Sequence, residues 1–470
     1  MKTYIHTTIP LVGKTALILL LLGLLASCEN QLDVGLPPNS LPGERVFDDD
    51  ATALAAMDGV FHLLQTNGFA SGDRESSLHL GALSAGELIE YGESPNRKAF
   101  YEHNLQANNP LNREIWQSAY ESIYRVNAIL EGLAASSELS PEVVDRLKGE
   151  ASFVRAYAYF YLVNFYGEVP LVTTTDREVN AQLPRESIEK VYTQIQEDLE
   201  QSRTLLPVDY AHNGGEKTRP IRWSATALLA RVKLYNEEWE EAATLAGEVI
   251  EEGPYTLAPP EEVFLAQSPG AIWQLLPTDP YLTTWEGYYH ILTSAPDAPL
   301  VPASTALDAD LLSSFENNDL RVQDWIAVFE GSDENYPYPY KYTVKQEGGG
   351  TEYSLRLRFG EQYLIRAEAR ANLGQDLLAR QDLESLRTRA GLTDALPALS
   401  GEALLEEIAD ERYRELFTEG AHRWFDLKRT GRIDEVMNSQ IENWQAYKRY
   451  YPIPEQELFN NTQLTQNEGY

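Results

Sequence analysis

Residues 149–171 read GEASFVRAYAYFYLVNFYGEVPL, and this stretch decides the fold. Starting from Phe153, aromatic side chains recur at i, i+4, i+7 and i+8, so their rings share one face of a helix. Ser140 and Pro141 upstream are typical of an N-cap and a first helical position, and Gly167 is typical of a C-cap. The pattern predicts a long helix that ends just before Gly167. Its aromatic face is expected to fill a core rather than to bind a ligand.

Helix pairs with the spacing of tetratricopeptide repeats follow this stretch. From Trp239, small residues fall at +3 and +7 and a proline at +15, as in such a repeat. Residues 361–390 carry a similar pattern with Gly374 at the turn. Together these weak repeats predict a mainly α fold with a tetratricopeptide-like α-solenoid scaffold.

The scaffold is interrupted by a segment of different composition. Residues 254–358 are rich in proline, tyrosine and tryptophan, and they contain a run of three glycines at 348–350. Short alternating runs such as 340–345 indicate strands. We therefore predict a single domain over 46–470, in which the helical scaffold covers about 46–253 and 359–470 and a large loop-rich insertion contains short strands. Long irregular segments of this kind usually carry function.

The N-terminus has the features of an export signal. Residues 15–27 are uncharged and apolar but too short to cross a bilayer, and two lysines precede them. The sequence Leu25-Ala26-Ser27-Cys28 resembles the lipobox of bacterial lipoproteins, in which the cysteine is lipidated. We expect 1–27 to be a lipoprotein signal peptide and 28–45 a lipidated tether that anchors the protein to the membrane. The alternative is a plain signal peptide followed by an incidental cysteine.

Composition excludes several classes of function. The chain has 38 basic and 72 acidic residues and a net charge of −34, which disfavours nucleic acid and other polyanions as partners. Neutral glycans are preferred over anionic ones for the same reason. Cys28 is the only cysteine, so neither an intrachain disulfide nor a zinc site of several thiolates is possible. The histidines lack metal-ligand spacing, and no metal or cofactor is predicted.

Acidic residues near the C-terminus raise the question of catalysis. Glu411, Glu415 and Glu419 lie at i, i+4 and i+8, on one face of a helix that also carries arginines. No nucleophile or histidine accompanies them in a catalytic pattern, so we interpret them as structural ion pairs. Arg155 and Arg366, each on an apolar helix, are expected to pair with buried carboxylates or to cap carbonyl groups.

The stretch 149–171 resembles the signature helix of the SusD/RagB family of nutrient-binding outer-membrane lipoproteins. Similar segments follow in the order found in that family, at 363–369, 386–392, 411–429, 451–458 and 466–470. His422 is one departure, because the family is expected to step directly from Gly to Arg-Trp. The resemblance spans essentially the whole chain after the signal peptide.

The resemblance implies a function without catalysis. It implies a surface lipoprotein of the outer membrane that captures an oligosaccharide and forms a lid on a TonB-dependent transporter of the SusC type. A lipid-anchored glycoside hydrolase remains an alternative, because two carboxylates in an aromatic cleft would suffice for that chemistry. Peptide capture is a third possibility.

Sugars present apolar CH faces ringed by hydroxyl groups, so a binding site needs aromatic platforms with a few polar groups. We expect the platforms on loops, because the helical aromatics are used in the core. The strongest candidate is Trp285, which would otherwise plug the insertion onto the scaffold. The other candidates are Trp273, Tyr281, Tyr288 and Tyr289 in the insertion, and Tyr91, Arg97 and Tyr101 in an irregular region at 67–110.

Overall fold

The computed structural model describes residues 46–66, 68–277, 284–346, 350–442 and 444–470. The stretch that decides the fold lies in a helix of 26 residues, Pro141–Tyr166, with Pro141 in its first turn. Gly167 ends the helix with a φ of +75°, a conformation that costs glycine little. The predicted aromatic face of this helix is buried, and burial extends beyond it to every side chain from Phe153 to Val163.

The described residues are mainly α-helical, so the predicted fold class is confirmed. The helices before the insertion are α1 (Asp50–Thr66), α2 (Ser77–Ser84), α3 (Pro95–Tyr101), α4 (Pro110–Ala135), α5 (Pro141–Tyr166), α6 (Arg177–Asn180), α7 (Ile188–Leu205), α8 (Arg222–Tyr235) and α9 (Trp239–Glu252). Those that follow are α10 (Trp285–His290), α11 (Ala309–Ser314), α12 (Leu320–Trp325), α13 (Phe359–Asn372), α14 (Asp376–Arg389), α15 (Gly401–Leu416), α16 (His422–Arg429), α17 (Ile433–Gln440) and α18 (Glu455–Asn460).

The long helices form a continuous stack. Helix α4 packs on α5, α5 on α7, α7 on α8, α8 on α9, α9 on α13, and α13 on α14. Helices α9 and α13 are neighbours although about a hundred residues separate them in the chain. The intervening segment is therefore inserted between two consecutive helices of a solenoid, which is an arrangement typical of repeat proteins with a functional insertion.

The strands are short and pair in twos. They are β1 (Leu88–Glu90), β2 (Val169–Pro170), β3 (Arg185–Glu186), β4 (Ala271–Leu275), β5 (Thr305–Leu307), β6 (Ile326–Glu330), β7 (Asn335–Pro339) and β8 (Ser354–Arg358). The antiparallel pairs are β1 with β5, β2 with β3, β4 with β8, and β6 with β7. Strands β4 to β8 lie in the insertion, and β5 joins the insertion to the region around β1.

Glu411 and Glu415 of α15 are buried in ion pairs, as predicted, whereas Glu419 is not on that helix, because α15 ends at Leu416 and Glu419 joins the network from the turn that follows. Arg321 of the insertion contacts both Glu411 and Glu415, with Nη1–Oε distances of 2.7 and 2.9 Å. Arg358 contacts Glu415 at 2.6 Å and Glu419 at 2.7 Å. These partners come from the insertion rather than from the arginines of the same helix alone. The network therefore fastens the insertion to the scaffold.

The two arginines on apolar helices also pair as predicted. Arg155 contacts Asp198 at 2.6 Å, and Arg366 contacts Asp382 at 2.8 Å. Each pair joins two neighbouring helices of the stack. Since both partners are buried, removing either one would leave an uncompensated charge.

The prediction of mostly irregular structure over 67–110 is wrong. Helices α2 and α3 and strand β1 lie in that region, and the N-caps Ser76 and Ser94 accept backbone N–H groups of their first turns. The helices are too short to show a full apolar period, so the sequence pattern did not reveal them. None of the described helices has both the length and the apolar character needed to cross a membrane.

Candidate functional site

A cleft forms where the region around β1 meets the insertion. The pairing of β1 with β5 brings the two together, and α3 and α10 flank them. The cleft has a volume of about 630 Å³, which is within the range of small-molecule sites. The residues that line it are Arg74, Gly92, Glu93, Arg97, Tyr288, Tyr289, Ser304 and the segment 296–302.

The floor of the cleft is held by Arg97. Its Nε donates to Glu90 Oε2 at 2.8 Å, and its Nη2 donates to Ser304 Oγ at 3.4 Å. Ser304 Oγ in turn donates to Glu90 Oε1 at 2.8 Å. Glu90 lies on β1 and Ser304 directly precedes β5, so the three side chains link the two halves of the cleft. Arg97 is therefore buried and fixed in position.

Two tyrosines from helix α10 line one wall. The rings of Tyr288 and Tyr289 meet edge to face, with centroids 4.9 Å apart. The guanidinium of Arg74 lies 5.2 Å from the centre of the Tyr289 ring, a distance typical of a cation–π contact. Both rings are only half-buried, and burial raises the pKa of Tyr289, so its hydroxyl stays protonated at neutral pH. The wall thus offers aromatic surface and hydroxyl groups together.

The charged side chains that line the cleft are Arg74, Arg97, Glu93 and Asp297, and Arg97 is already paired with the buried Glu90. The lining therefore has no excess of positive charge, which disfavours an anionic ligand. Leu300, at the rim, is fully exposed between prolines of the segment 296–302. The rim therefore adds apolar surface to the polar floor.

A pair of buried histidines lies beside the aromatic wall. His290 follows Tyr289 on α10, and its Nε2 is 3.3 Å from Nδ1 of His79 on α2. Burial lowers the pKa of His290 to about 4. Burial also lowers the pKa of His79 well below its usual value, and His290 adds to that effect. Both rings are therefore neutral at neutral pH, which lets them pack face to face.

The structure brings three of the predicted site residues together in the cleft, namely Arg97, Tyr288 and Tyr289. The two tyrosines lie on a short helix rather than on a loop, because Thr284 caps that helix by accepting the Gly287 N–H. Arg97 likewise lies on α3. Arg74, Glu93, Ser304 and the segment 296–302 were not among the predicted site residues. The regular spacing of Pro296, Pro299 and Pro302 was the available signal for that last segment.

Trp285 lies next to the cleft but outside its lining. Its ring stacks on Tyr289 at 5.8 Å with an interplanar angle of 22°. Its Nε1 donates to the carbonyl oxygen of Gln65 on α1 at 3.0 Å. The half-buried ring therefore supports the aromatic wall and also ties the insertion to the scaffold.

Trp273 is a correction to the expected set. It lies on β4 rather than on a loop, and its side chain has 0% exposed surface. Its ring packs edge to face on Phe153 at 4.9 Å and on Tyr157 at 5.1 Å. A ring enclosed by the aromatic face of α5 cannot contact a ligand, so Trp273 belongs to the core.

Tyr91 and Tyr101 do not line the cleft. Tyr91 packs edge to face on Tyr336 at 5.3 Å, and Tyr101 is partly buried against the main core. Tyr281 and Cys28 lie outside the described residues. Within the described part of the chain, no three His, Cys, Asp or Glu side chains are grouped so that they could hold a metal ion.

Two family models match the chain. One, described as "Starch-binding associating with outer membrane", matches residues 85–234. The other, described as the SusD family, matches residues 314–470. SusD-like protein P25 of Formosa agariphila is 24% identical over 94% of this chain and 97% of its own length. The starch-binding protein SusD of Bacteroides thetaiotaomicron is 35% identical over 24% of this chain and 21% of that protein.

Solved structures share the fold. A SusD superfamily protein from Bacteroides vulgatus superimposes with a TM-score of 0.78 at 20% identity, covering 90% of this chain and all of that one. A structure described as a laminarin binding SusD-like protein gives a TM-score of 0.72 at 24% identity, covering 89% of this chain and 99% of that one. At these identities the likeness concerns the fold. The matches to both family models, at the segments that sequence analysis singled out, show that this chain belongs to the SusD/RagB family.

Proposed function

We propose that this protein is a surface lipoprotein of the outer membrane that captures neutral oligosaccharides in the cleft. It delivers them to a TonB-dependent transporter of the SusC type and does not catalyse a reaction. The observation that carries the proposal is the wall formed by Tyr288 and Tyr289 beside Arg97, which its contacts to Glu90 and Ser304 fix in position. Aromatic surface beside hydroxyl and guanidinium donors matches the alternating apolar and polar surface of a sugar.

The relatives support the ligand class. One relative is named for binding starch, and one solved structure is named for binding laminarin. Starch and laminarin are both neutral glucans. Covering roughly 50 Å² of each ring contributes ~1 kcal/mol per platform. With hydrogen bonds added and the cost of ordering subtracted, we expect dissociation constants between roughly millimolar and micromolar.

Affinity electrophoresis in gels containing starch or laminarin tests the proposal. The protein should be retarded by at least one neutral glycan, and Tyr289→Ala should reduce the retardation several-fold. Tyr124→Ala is a matched control, because Tyr124 is 53% exposed on α4 and does not line the cleft. Equal retardation of both variants and the wild type would contradict the assignment of the cleft.

Glycoside hydrolysis is the second candidate, because Glu93 and Asp297 both line the cleft. Two carboxylates beside aromatic platforms are the groups such a reaction needs. Thin-layer chromatography after prolonged incubation with each bound glycan separates the two functions. We expect intact polymer, whereas shortening that is lost in Glu93→Gln would establish hydrolysis. Peptide capture would appear as binding to peptides with no glycan retained.

Anchoring and partnership follow from the same proposal. Cys28→Ser should release the protein from the outer membrane or leave an uncleaved precursor, and intact mass spectrometry should detect acyl chains only on the wild type.

Purification in mild detergent from the native host should recover a large β-barrel protein together with this one. Recovery of the lipoprotein alone would count against the transporter.

A further inference from the structure

A groove lies near the C-terminal end of the described chain, away from the lining of the cleft. Its lining comes from the turn 445–450, the segment 466–469, residues 167–168 after α5, and Arg185 and Ile188 at the start of α7. We call it the C-terminal groove. It has a volume of about 710 Å³, which is in the range of small-molecule sites, and none of its lining residues lines the cleft.

Two tyrosines give the groove aromatic surface. Tyr447 and Tyr450 both line it, and both side chains are half-buried. Neither hydroxyl group has a hydrogen-bond partner among the described residues, and neither is enclosed, so both are open to solvent. A phenolic hydroxyl can donate and accept, so each of them can bond a hydroxyl group of a ligand.

The two tyrosines are held in place by the end of the chain. The ring of Tyr470 meets that of Tyr447 edge to face, with centroids 4.9 Å apart, and Tyr470 Oη donates to the carbonyl oxygen of Tyr450 at 2.9 Å. Gly469 has a φ of +94°, and a Cβ atom there would lie 2.3 Å from the Tyr447 ring. Only glycine therefore allows this close approach. Aromatic platforms that are already ordered lose little entropy when a ligand binds.

Arg185 fixes the opposite part of the lining. Its Nε donates to the carbonyl oxygen of Glu168 at 2.8 Å, its Nη1 donates to that of Thr465 at 3.1 Å, and its Nη2 donates to Asn467 Oδ1. Asn467 Nδ2 in turn donates to the carbonyl oxygen of Tyr451 at 2.7 Å. These bonds join β3, the residues after α5 and the end of the chain, so the groove is formed without a ligand.

The charged side chains of the lining are Arg185, Arg449, Glu168 and Glu468. Arg449 is already paired with Asp434, with Nη2 and Oδ2 2.5 Å apart, and Glu168 Oε2 lies 4.0 Å from Arg185. The lining therefore has no excess of positive charge, which disfavours a polyanion. Aromatic surface together with free hydroxyl groups suits the apolar faces and the hydroxyl rings of a neutral sugar.

We propose that the C-terminal groove is a second binding site for neutral oligosaccharides, separate from the cleft. Tyr447 and Tyr450 are its platforms, and their hydroxyl groups bond the sugar. The inference rests on the proposed function for its ligand class. A second site lets one protein molecule hold a polymer at two points or hold two chains at once.

Fluorine NMR with a tag in the groove tests this site directly. Full-length protein carrying Cys28→Ser and Gln445→Cys has a single thiol, to which a trifluoromethyl tag is attached. Gln445 is exposed and lines the groove. The probes are maltohexaose, laminarihexaose, xylohexaose and mannohexaose, with tetragalacturonic acid as an anionic comparison. We expect at least one neutral oligosaccharide to shift the tag signal saturably, and tetragalacturonic acid to leave it unchanged.

Variants of the tagged protein separate the groove from the cleft. Tyr447→Phe removes only a free hydroxyl group, so it should weaken the titration about 3- to 10-fold and leave the melting temperature unchanged. Tyr447→Ala also removes the platform and should weaken the titration further. Tyr124→Phe is the matched control, because it removes an exposed hydroxyl group outside both sites. Tyr124→Phe and Tyr289→Ala should leave the titration unchanged.

Four results would overturn the proposal. They are that no neutral oligosaccharide moves the tag signal, that tetragalacturonic acid alone moves it, that Tyr289→Ala abolishes the shift, or that both Tyr447 variants titrate like the unsubstituted tagged protein. The effect of Tyr289→Ala on retardation in glycan gels concerns the cleft. Failure of the proposed function is therefore read from the gels, and failure of the second site is read from the tag.

Discussion

Helices α5 and α10 both carry clusters of aromatic residues, yet they use them in opposite ways. On α5 the rings recur at helical spacing over 26 residues, and Phe153, Tyr157 and Tyr161 are buried. On α10 three aromatics crowd into six residues, and Trp285, Tyr288 and Tyr289 are all half-buried. Helix α5 packs against other elements on every side, so even its adjacent rings Tyr159, Phe160 and Tyr161 are buried, whereas α10 lies beside the cleft and leaves its rings half-exposed. The surroundings of the helix, rather than the spacing of its rings, therefore separate core rings from rings available to a ligand.

The largest expected effect is the loss of stability when a buried ring of α5 is removed. Phe153→Ala should lower the free energy of unfolding by about 3–5 kcal/mol, because it leaves a cavity between the rings of Tyr157 and Trp273. Tyr288→Ala, its counterpart on α10, should cost about 1 kcal/mol or less, because the ring is already half in water. Urea unfolding monitored by circular dichroism measures both. Equal losses would remove the distinction between the two helices.

Trp273 tests whether the core extends into the insertion. Trp273→Ala should destabilise the protein by about 3–5 kcal/mol although the residue lies in the insertion. Trp273→Phe should cost much less, because it keeps an aromatic ring and removes an indole N–H that has no partner in the described part of the chain. The folded fraction of both variants should retain glycan binding. If Trp273→Ala were stable but bound glycan more weakly, Trp273 would be a binding residue rather than a core residue.

The sequence predicts features that depend on neighbouring residues better than contacts between distant segments. Helical spacing predicted the stack, and the arginines on apolar helices predicted buried ion pairs, because both are local consequences of side-chain geometry. Arg414 pairs with Glu411 on the same helix, as predicted, but Arg321 and Arg358, which reach the glutamates from the insertion, were missed. Such contacts depend on tertiary structure and leave no period in the sequence.

The cleft shows the same limit. Tyr288, Tyr289 and Arg97 were identified by residue type and by an irregular setting, but their proximity depends on the pairing of β1 with β5. Arg74 gave no signal, because a lone arginine is common on a surface. Trp273 was misassigned because a five-residue strand flanked by loops resembles a loop in composition.

Acid should destabilise the protein in part through the histidine pair beside the cleft. The folded pKa of His290 is about 4, below the value of roughly 6.5 expected in the unfolded chain. The contribution of His290 to stability is therefore complete above about pH 6.5 and is lost as the pH falls toward about 4. We expect this one group to account for about 2–3 kcal/mol of the loss over that window.

Melting temperatures measured from pH 7 to pH 4.5 test this contribution. His290→Gln should flatten the fall in melting temperature, although the buried His103 and His422, whose pKa values are also about 4, will keep part of it. His62→Gln is a suitable control, because His62 is exposed on α1 and is not part of the histidine pair. An unaltered profile in His290→Gln would show that the histidine pair does not govern the acid response of the cleft region.

The smallest expected effect on stability is for substitutions of Trp285, which contacts both the cleft wall and the scaffold. Its ring stacks on Tyr289 in the cleft wall, while its Nε1 donates to Gln65 of the scaffold. Trp285→Phe keeps a ring beside Tyr289 and removes only the hydrogen bond, so it should cost about 1 kcal/mol of stability and leave glycan affinity nearly unchanged. Trp285→Ala should in addition weaken glycan binding several-fold in calorimetry, because Tyr289 then loses its support, with the melting temperature within a few degrees. A contradicting result would be that Trp285→Ala unfolds most of the protein while the remaining folded fraction binds glycan normally. The Trp285 ring would then only pack the insertion against the scaffold, and Arg74 would be the contact that supports Tyr289.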